Sequence, residues 1–190
     1  NFGMDGLRVA QGIHGTPGDR NTPTVLNAAL QDSMFWDGRS ETVETQAVIP
    51  LFDPREMAMR DEAAVVAAIT SLDDYHALFA AAFPAQSAPI SFDNITLALG
   101  AFQRSLVTPD TPFDRYIAGQ QDALTPQQQR GLSVFLREGC ASCHAGPLLG
   151  GQDLHLISDY PRAAPGVTLE LRKHLGNTHK FKIAPLRNIA

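Results

Sequence analysis

The chain has 190 residues, with 15 Lys and Arg against 20 Asp and Glu and a formal net charge of -5, so no overall positive field draws it to nucleic acid or an anionic lipid surface. Apolar residues make up 44%, enough to build a core at this length. The longest apolar runs, Ala63 to Ile69 and Ala77 to Phe83, fall far short of the roughly 18 residues that a membrane-spanning helix needs.

Residues 1–33 contain Gly3, Gly6, Gly12, Gly15 and Gly18 with Pro17 and Pro23 and show no sustained period, which predicts ordered loop with short helical turns. The chain opens at Asn1 without an initiator Met and stops at Ala190, so it reads as an excerpt of a longer mature protein. Asp61 to Phe83 is Ala-rich with helix-compatible spacing broken near Ser71-Leu72-Asp73, predicting two consecutive helices that end before Pro84. Ser91 caps a further predicted helix with Ile95, Leu99, Phe102 and Leu106 on one face. Thr108-Pro109-Asp110-Thr111-Pro112 stops that helix and opens the next, so a domain boundary is expected between 107 and 108. Thr125-Pro126-Gln127-Gln128 has the form of an N-cap, a first-position Pro and a capping-box Gln, after which Leu132, Phe135 and Leu136 make an apolar face. That helix runs into Cys140. Leu154 to Ser158 alternates weakly, enough for a short strand.

The two cysteines, Cys140 and Cys143, stand too close together for a disulfide framework. With the next residue they form Cys140-Ala141-Ser142-Cys143-His144, the C-x-x-C-H attachment sequence of c-type haem. Both thiols can add to the vinyl groups of one porphyrin, and the following imidazole is then placed to reach the iron. The competing reading, a redox C-x-x-C with an incidental His, requires a βαβ pattern, whereas these flanks are a capped helix and a Gly-rich loop. A second axial ligand could come from Met4, Met34, Met57, Met59 or another His. His155, His174 and His179 follow the motif but read as surface or structural histidines, so the second ligand is expected beyond Ala190.

With the haem motif in place, the chain resembles the bacterial di-haem cytochrome c peroxidases, a family that includes the MauG-like proteins. The resemblance rests on Arg20-Asn21-Thr22-Pro23-Thr24-Val25-Leu26-Asn27, Phe35-Trp36-Asp37-Gly38-Arg39 and Glu56-Met57. It continues through Leu106-Val107-Thr108-Pro109, Pro112-Phe113-Asp114-Arg115-Tyr116, Gly146-Pro147-Leu148-Leu149-Gly150-Gly151, Phe181-Lys182 and Leu186-Arg187-Asn188. It implies an all-α, loop-rich fold of two cytochrome c-like haem domains, residues 1–107 belonging to the N-terminal peroxidatic domain and 108–190 to the C-terminal electron-transfer domain. Each domain of the family carries a C-x-x-C-H. The one here matches the second, so the first is expected before Asn1.

On that resemblance Cys140, Cys143 and His144 hold the electron-accepting haem, and His14, on a loop flanked by glycines, is the distal ligand that caps the peroxidatic iron in the oxidised enzyme. Without it His14 reads as a surface histidine and Glu56 as one solvated carboxylate among twenty. The resemblance makes Glu56 the acid-base group that moves a proton between the oxygens of peroxide, with Gln46 orienting peroxide beside it. Trp36, the single Trp, matches the residue packed between the two haems, and Asn21 matches a calcium ligand completed by carbonyls near Ala184 and water. The family reading implies reduction of hydrogen peroxide to water in the periplasm, with electrons from a small cytochrome c or cupredoxin, and usually a homodimer. A MauG-like oxidation of a protein substrate and a simple electron carrier are the alternatives.

Overall fold

The computed structural model describes residues 6–156 and 180–189; Met4, Ser158, His174 and His179 lie outside them. Among the described residues, short 3-10 turns at Ile13–Gly15 and Ala28–Leu30 precede helices α1 (Val43–Phe52), α2 (Glu62–Thr70), α3 (Asp73–Ala82) and α4 (Phe92–Ser105). Helices α5 (Pro112–Ile117) and α6 (Pro126–Arg137), a 3-10 turn at Cys140–Ser142 and strands β1 (Leu154–Leu156) and β2 (Lys180–Lys182) follow. None of these helices is long and apolar enough to cross a membrane.

Local chemistry explains where the helices begin. Thr42, Asp61, Ser91, Thr111 and Thr125 each accept a hydrogen bond from the backbone N–H three residues on. Pro112 and Pro126 stand at the helix starts, where a missing N–H costs nothing. The Ala-rich stretch divides into α2 and α3 as expected. Helix α1, by contrast, has no counterpart in the sequence reading, because Pro50 lies inside it and marks the segment as a break rather than a helix.

Helices α1 to α4 enclose a core of Leu51, Val65, Phe79 and Ile95. The face expected for α4 is corrected. Ile95 is buried, but Phe102 is 62% exposed and Leu106 falls past the helix end. The inward side runs instead through Asn94, Ile95 and Gly100. A Cβ on Gly100 would lie 2.2 Å from Glu44 Oε1, so α1 meets α4 at the glycine, and Arg104 donates to both Glu44 carboxylate oxygens beside it. Likewise α6 buries Leu132 and Phe135 only in part, and Leu136 is exposed.

The all-α expectation needs one amendment. Strands β1 and β2 pair antiparallel with Leu154 opposite Lys182 and His155 opposite Phe181, so the described residues form a loop-rich helical fold with one small sheet. A three-residue Lys-Phe-Lys segment is too short to show alternation by itself. The proline linker is not a free tether: Asn27 N–H donates to Leu106 O at 2.7 Å, and its side chain exchanges hydrogen bonds with Thr108 N–H (2.9 Å) and Oγ1 (2.8 Å).

The loop after the haem motif is fastened from two directions. Leu148 is 1% exposed, and a Cβ on Gly150, at φ +126°, would meet Ala184 O at 2.4 Å, so only glycine fits this approach. Arg187 donates to both oxygens of Asp114 and, through Nε, to Pro147 O. Its hydrogen bonds, helped by Thr111 and opposed by burial, hold the Asp114 carboxyl well below the usual carboxylate range. The carboxylate is therefore favoured in the folded state, and its contribution is present above the ordinary carboxylate pKa and lost as pH falls through the lower folded value. Arg187→Ala is expected to cost about 2 kcal/mol, lowering Tm by roughly 4–8 °C for a chain of this size. Thermal unfolding at pH 7 measures it, and an unchanged Tm removes the pair from the stability of this loop.

Candidate functional site

Helix α6 ends at Arg137, and just past its end Gly139 takes the left-handed conformation (φ 79°) that commonly stops a helix and redirects the chain. The next residues wind into a tight turn in which Cys143 N–H (3.2 Å) and His144 N–H (2.9 Å) both donate to Cys140 O. Neither thiol is in a disulfide, and Cys140 is exposed. The half-buried His144 ring sits with Nδ1 3.0 Å from Leu149 O. A carbonyl can only accept, so Nδ1 carries the hydrogen and Nε2 keeps its lone pair for a metal. Two available thiols on one turn and an imidazole held in the metal-binding tautomer fit a covalently attached haem.

A cleft of about 580 Å³ forms the second region, and Asn21, Trp36, Gln46 and Glu56 all line it. These four residues come from a loop, a turn, α1 and the turn after α1, so the fold gathers what the sequence spreads over 36 positions. An open hollow of about 650 Å³ over α2 presents one carboxylate, Glu62, and is lined by none of Asn21, Trp36, Gln46 and Glu56.

Glu56 is set by the turn that closes α1: its N–H donates to Asp53 O at 2.9 Å, and Met57 N–H reaches back to Pro50 O at 3.1 Å. Burial first, then the neighbouring Asp53 charge, pushes the Glu56 carboxyl up, while Arg39 and Arg55 oppose the shift. A carboxyl so placed holds its proton to higher pH than a solvated one. Trp36 is fixed by its edge and its face. Its Nε1–H donates to Asn21 O at 2.9 Å, and Phe181 stacks on the ring with centroids 5.4 Å apart. The Asn21 side chain in turn donates to Leu7 O.

Four cations line this cleft, Arg20, Arg39, Arg55 and Lys182, and none carried a site role from sequence. Lys182 is 8% exposed, its Nζ donates to Ser33 O at 2.6 Å, and its backbone N–H donates to Trp36 O at 2.8 Å. Burial pulls its ammonium down to about 8. Arg39 lies 3.5 Å from the Phe35 ring centroid and pairs with Asp37 at 2.9 Å, as Arg20 does at 2.8 Å. Burial opposes ionisation of Asp37, and the two arginines outweigh it and lower its pKa. The Trp36-Asp37-Gly38-Arg39 run was the available signal for Arg39; Lys182 had none beyond its place beside Phe181.

His14 stands apart from the group. Its side chain is exposed, it does not line the cleft, and its backbone is left-handed (φ 63°, ψ 17°). Its loop is nevertheless docked on the Glu56 turn, with Ile13 N–H donating to Glu56 O at 2.7 Å.

Comparison with known proteins points the same way. Residues 1–122 match the family model described as di-haem cytochrome c peroxidase. Cytochrome c551 peroxidase of Pseudomonas aeruginosa is 37% identical over 199 residues, covering 99% of this chain and 56% of that protein. Cytochrome c peroxidase Ccp of Escherichia coli is 34% identical over 195 residues, 99% of this chain and 41% of that one. The methylamine utilization protein MauG of Methylophilus methylotrophus is 39% identical over 181 residues, 90% and 51% of the two chains. Among solved structures, a MauG-like protein associated with microbial copper homeostasis superposes with a TM-score of 0.81 at 32% identity, over 97% of this chain and 60% of that one. The chain spans about half the length of the curated relatives it matches. A C-x-x-C-H turn, a helical loop-rich fold and matches over nearly the whole chain together establish that it belongs to the di-haem cytochrome c peroxidase family, with MauG among its relatives.

Proposed function

We propose that the full-length protein is a periplasmic peroxidase that reduces hydrogen peroxide with two electrons and two protons to two waters, taking the electrons from a small cytochrome c or cupredoxin. The observation that carries this reading is the cleft in which Glu56, Gln46 and Trp36 meet. Haem c supplies an iron that binds peroxide and a second iron that passes electrons to it. Cys140, Cys143 and His144 hold the electron-transfer haem in a C-terminal domain, 108–190, and residues 1–107 belong to the peroxidatic domain. Glu56 takes the proton from the inner peroxide oxygen and delivers it to the outer one, so that water rather than hydroxide leaves. Its raised pKa brings proton uptake and release closer to balance. Gln46 orients peroxide by hydrogen bonding from α1. Trp36, clamped by Asn21 O and Phe181, provides a rigid aromatic bridge for electrons. Among the described residues no three His, Cys, Asp or Glu side chains gather as a metal site, so calcium at Asn21 would rest chiefly on carbonyls and water. The homodimer rests on the family resemblance.

In this reading His14 would be the residue that holds the peroxidatic iron closed in the oxidised state, and its loop would carry it away once the other haem is reduced. Glycine suits the left-handed backbone at position 14, so His14→Gly removes the ligand without disturbing the loop. The full-length variant is expected to turn over peroxide without pre-reduction, as assayed by oxidation of the electron donor in parallel with wild type. A retained need for pre-reduction would return His14 to the surface histidine it resembles by exposure.

The similarity to MauG supports a second reading, oxidation of a protein substrate by the same haems. Thioether ligation of the second haem favours the peroxidase and phenolate ligation favours the alternative, which absorption spectra of the full-length protein distinguish.

A further inference from the structure

The loop bearing His14 and the turn bearing Glu56 are fastened together at three places. Ile13 N–H donates to Glu56 O at 2.7 Å. Gly12 packs so closely on the turn that a Cβ there would fall 1.8 Å from Arg55 O and 2.6 Å from Glu56 Cα. The Arg55 guanidinium then reaches the loop's far end: Nη1 donates to Asp19, while Nε (3.2 Å) and Nη2 (3.0 Å) hold the two oxygens of Asp53. The loop is itself a closed unit, since Gly18 N–H donates to Ala10 O at 2.7 Å, Ala10 N–H to Arg20 O at 2.8 Å, and Gln11 bridges Pro17. Residues 10–20 are thus tied at their base, and the two left-handed residues, His14 and Gly15 (φ 72°), stand at the tip.

We infer that Arg55 is a positioning residue, a latch whose bridge from Asp53 to Asp19 couples the seating of the His14 loop to that of the Glu56 turn. This deepens the gating reading and rests on it. When the loop is seated, the backbone of the Glu56 turn is buttressed by Ile13 and Gly12; when the loop departs, Arg55 must release Asp19 while keeping Asp53. The Arg55 and Asp19 side chains are 47% and 58% exposed. Exposed pairs are weak and screened by salt, which suits a contact that must open and close repeatedly. Losing one such pair is worth roughly a twofold to fivefold change in an equilibrium.

The test uses the full-length holoprotein and three variants. Asp19→Asn removes only the loop side of the bridge, Asp19→Glu keeps the charge, and His14→Gly reports on the gate alone. Two readouts apply: amide hydrogen exchange at Ile13, and the rate at which the high-spin absorbance of the peroxidatic haem grows after half-reduction. Asp19→Asn is expected to raise both roughly twofold to fivefold at low salt, Asp19→Glu to match wild type, and about 0.5 M NaCl to bring wild type to the Asp19→Asn values. Equal Ile13 exchange in wild type and Asp19→Asn, or Asp19→Glu behaving as Asp19→Asn, overturns the latch. If His14→Gly accepts peroxide before reduction while Asp19→Asn is silent, the latch alone fails. If His14→Gly stays closed, the gate fails and takes the latch with it.

Discussion

Glu56→Gln in the full-length protein is expected to lower peroxide turnover about 10²-fold or more, the usual scale for losing a positioned acid-base group. The substitution keeps the shape and hydrogen-bonding capacity of the side chain, so the cleft and the turn from Asp53 to Met57 stay intact. What it removes is the exchangeable proton at the carboxyl oxygens. Activation by pre-reduction is expected to proceed normally, because the His14 loop contacts this turn through the Glu56 backbone carbonyl and not its carboxylate.

The pH dependence supplies a second signature. In the proposed role as a base Glu56 would have to be ionised when peroxide binds, so kcat/KM is expected to rise as pH rises through its pKa. Burial and Asp53 push that pKa up, which puts the acid limb above the range of a solvated glutamate. In Glu56→Gln that limb should disappear together with the rate. A variant that keeps wild-type turnover, or loses rate while keeping the limb, assigns the proton transfer to another group.

The features that could be read from sequence are those enforced by neighbours in the chain. Thr111 with Pro112 and Thr125 with Pro126 announce their helices because a cap is complete within four consecutive residues, and Cys140 to His144 is a contiguous motif. The breakdowns occur where distant segments decide. Pro50 concealed α1, yet α1 carries Gln46 and opens the turn that carries Glu56. The apolar period of α4 pointed to Phe102, but the close approach at Gly100 turned a different side inward. Strand β2, too short to show a pattern, supplies both Phe181 against Trp36 and the buried Lys182. The cleft residues were individually recognisable only through family resemblance, and their meeting in one cavity belongs to the tertiary fold.

Covalent attachment gives the sharpest test of the haem turn. In the wild-type holoprotein, thioether bonds to Cys140 and Cys143 would keep haem with the polypeptide after denaturation and extraction with acidified organic solvent, because no coordination bond is needed to retain it. Replacing both thiols, Cys140→Ala with Cys143→Ala, leaves no covalent attachment and is expected to lose most of the protein-bound haem absorbance. The ring of His144 need not move in that variant, since Leu149 O orients it independently of either sulfur. Loss of haem with a native circular dichroism spectrum would therefore report the missing covalent bond rather than a collapsed loop. Haem extracted freely from the wild type would sink the attachment, and with it the assignment of Cys140, Cys143 and His144 as the electron-transfer haem's anchors.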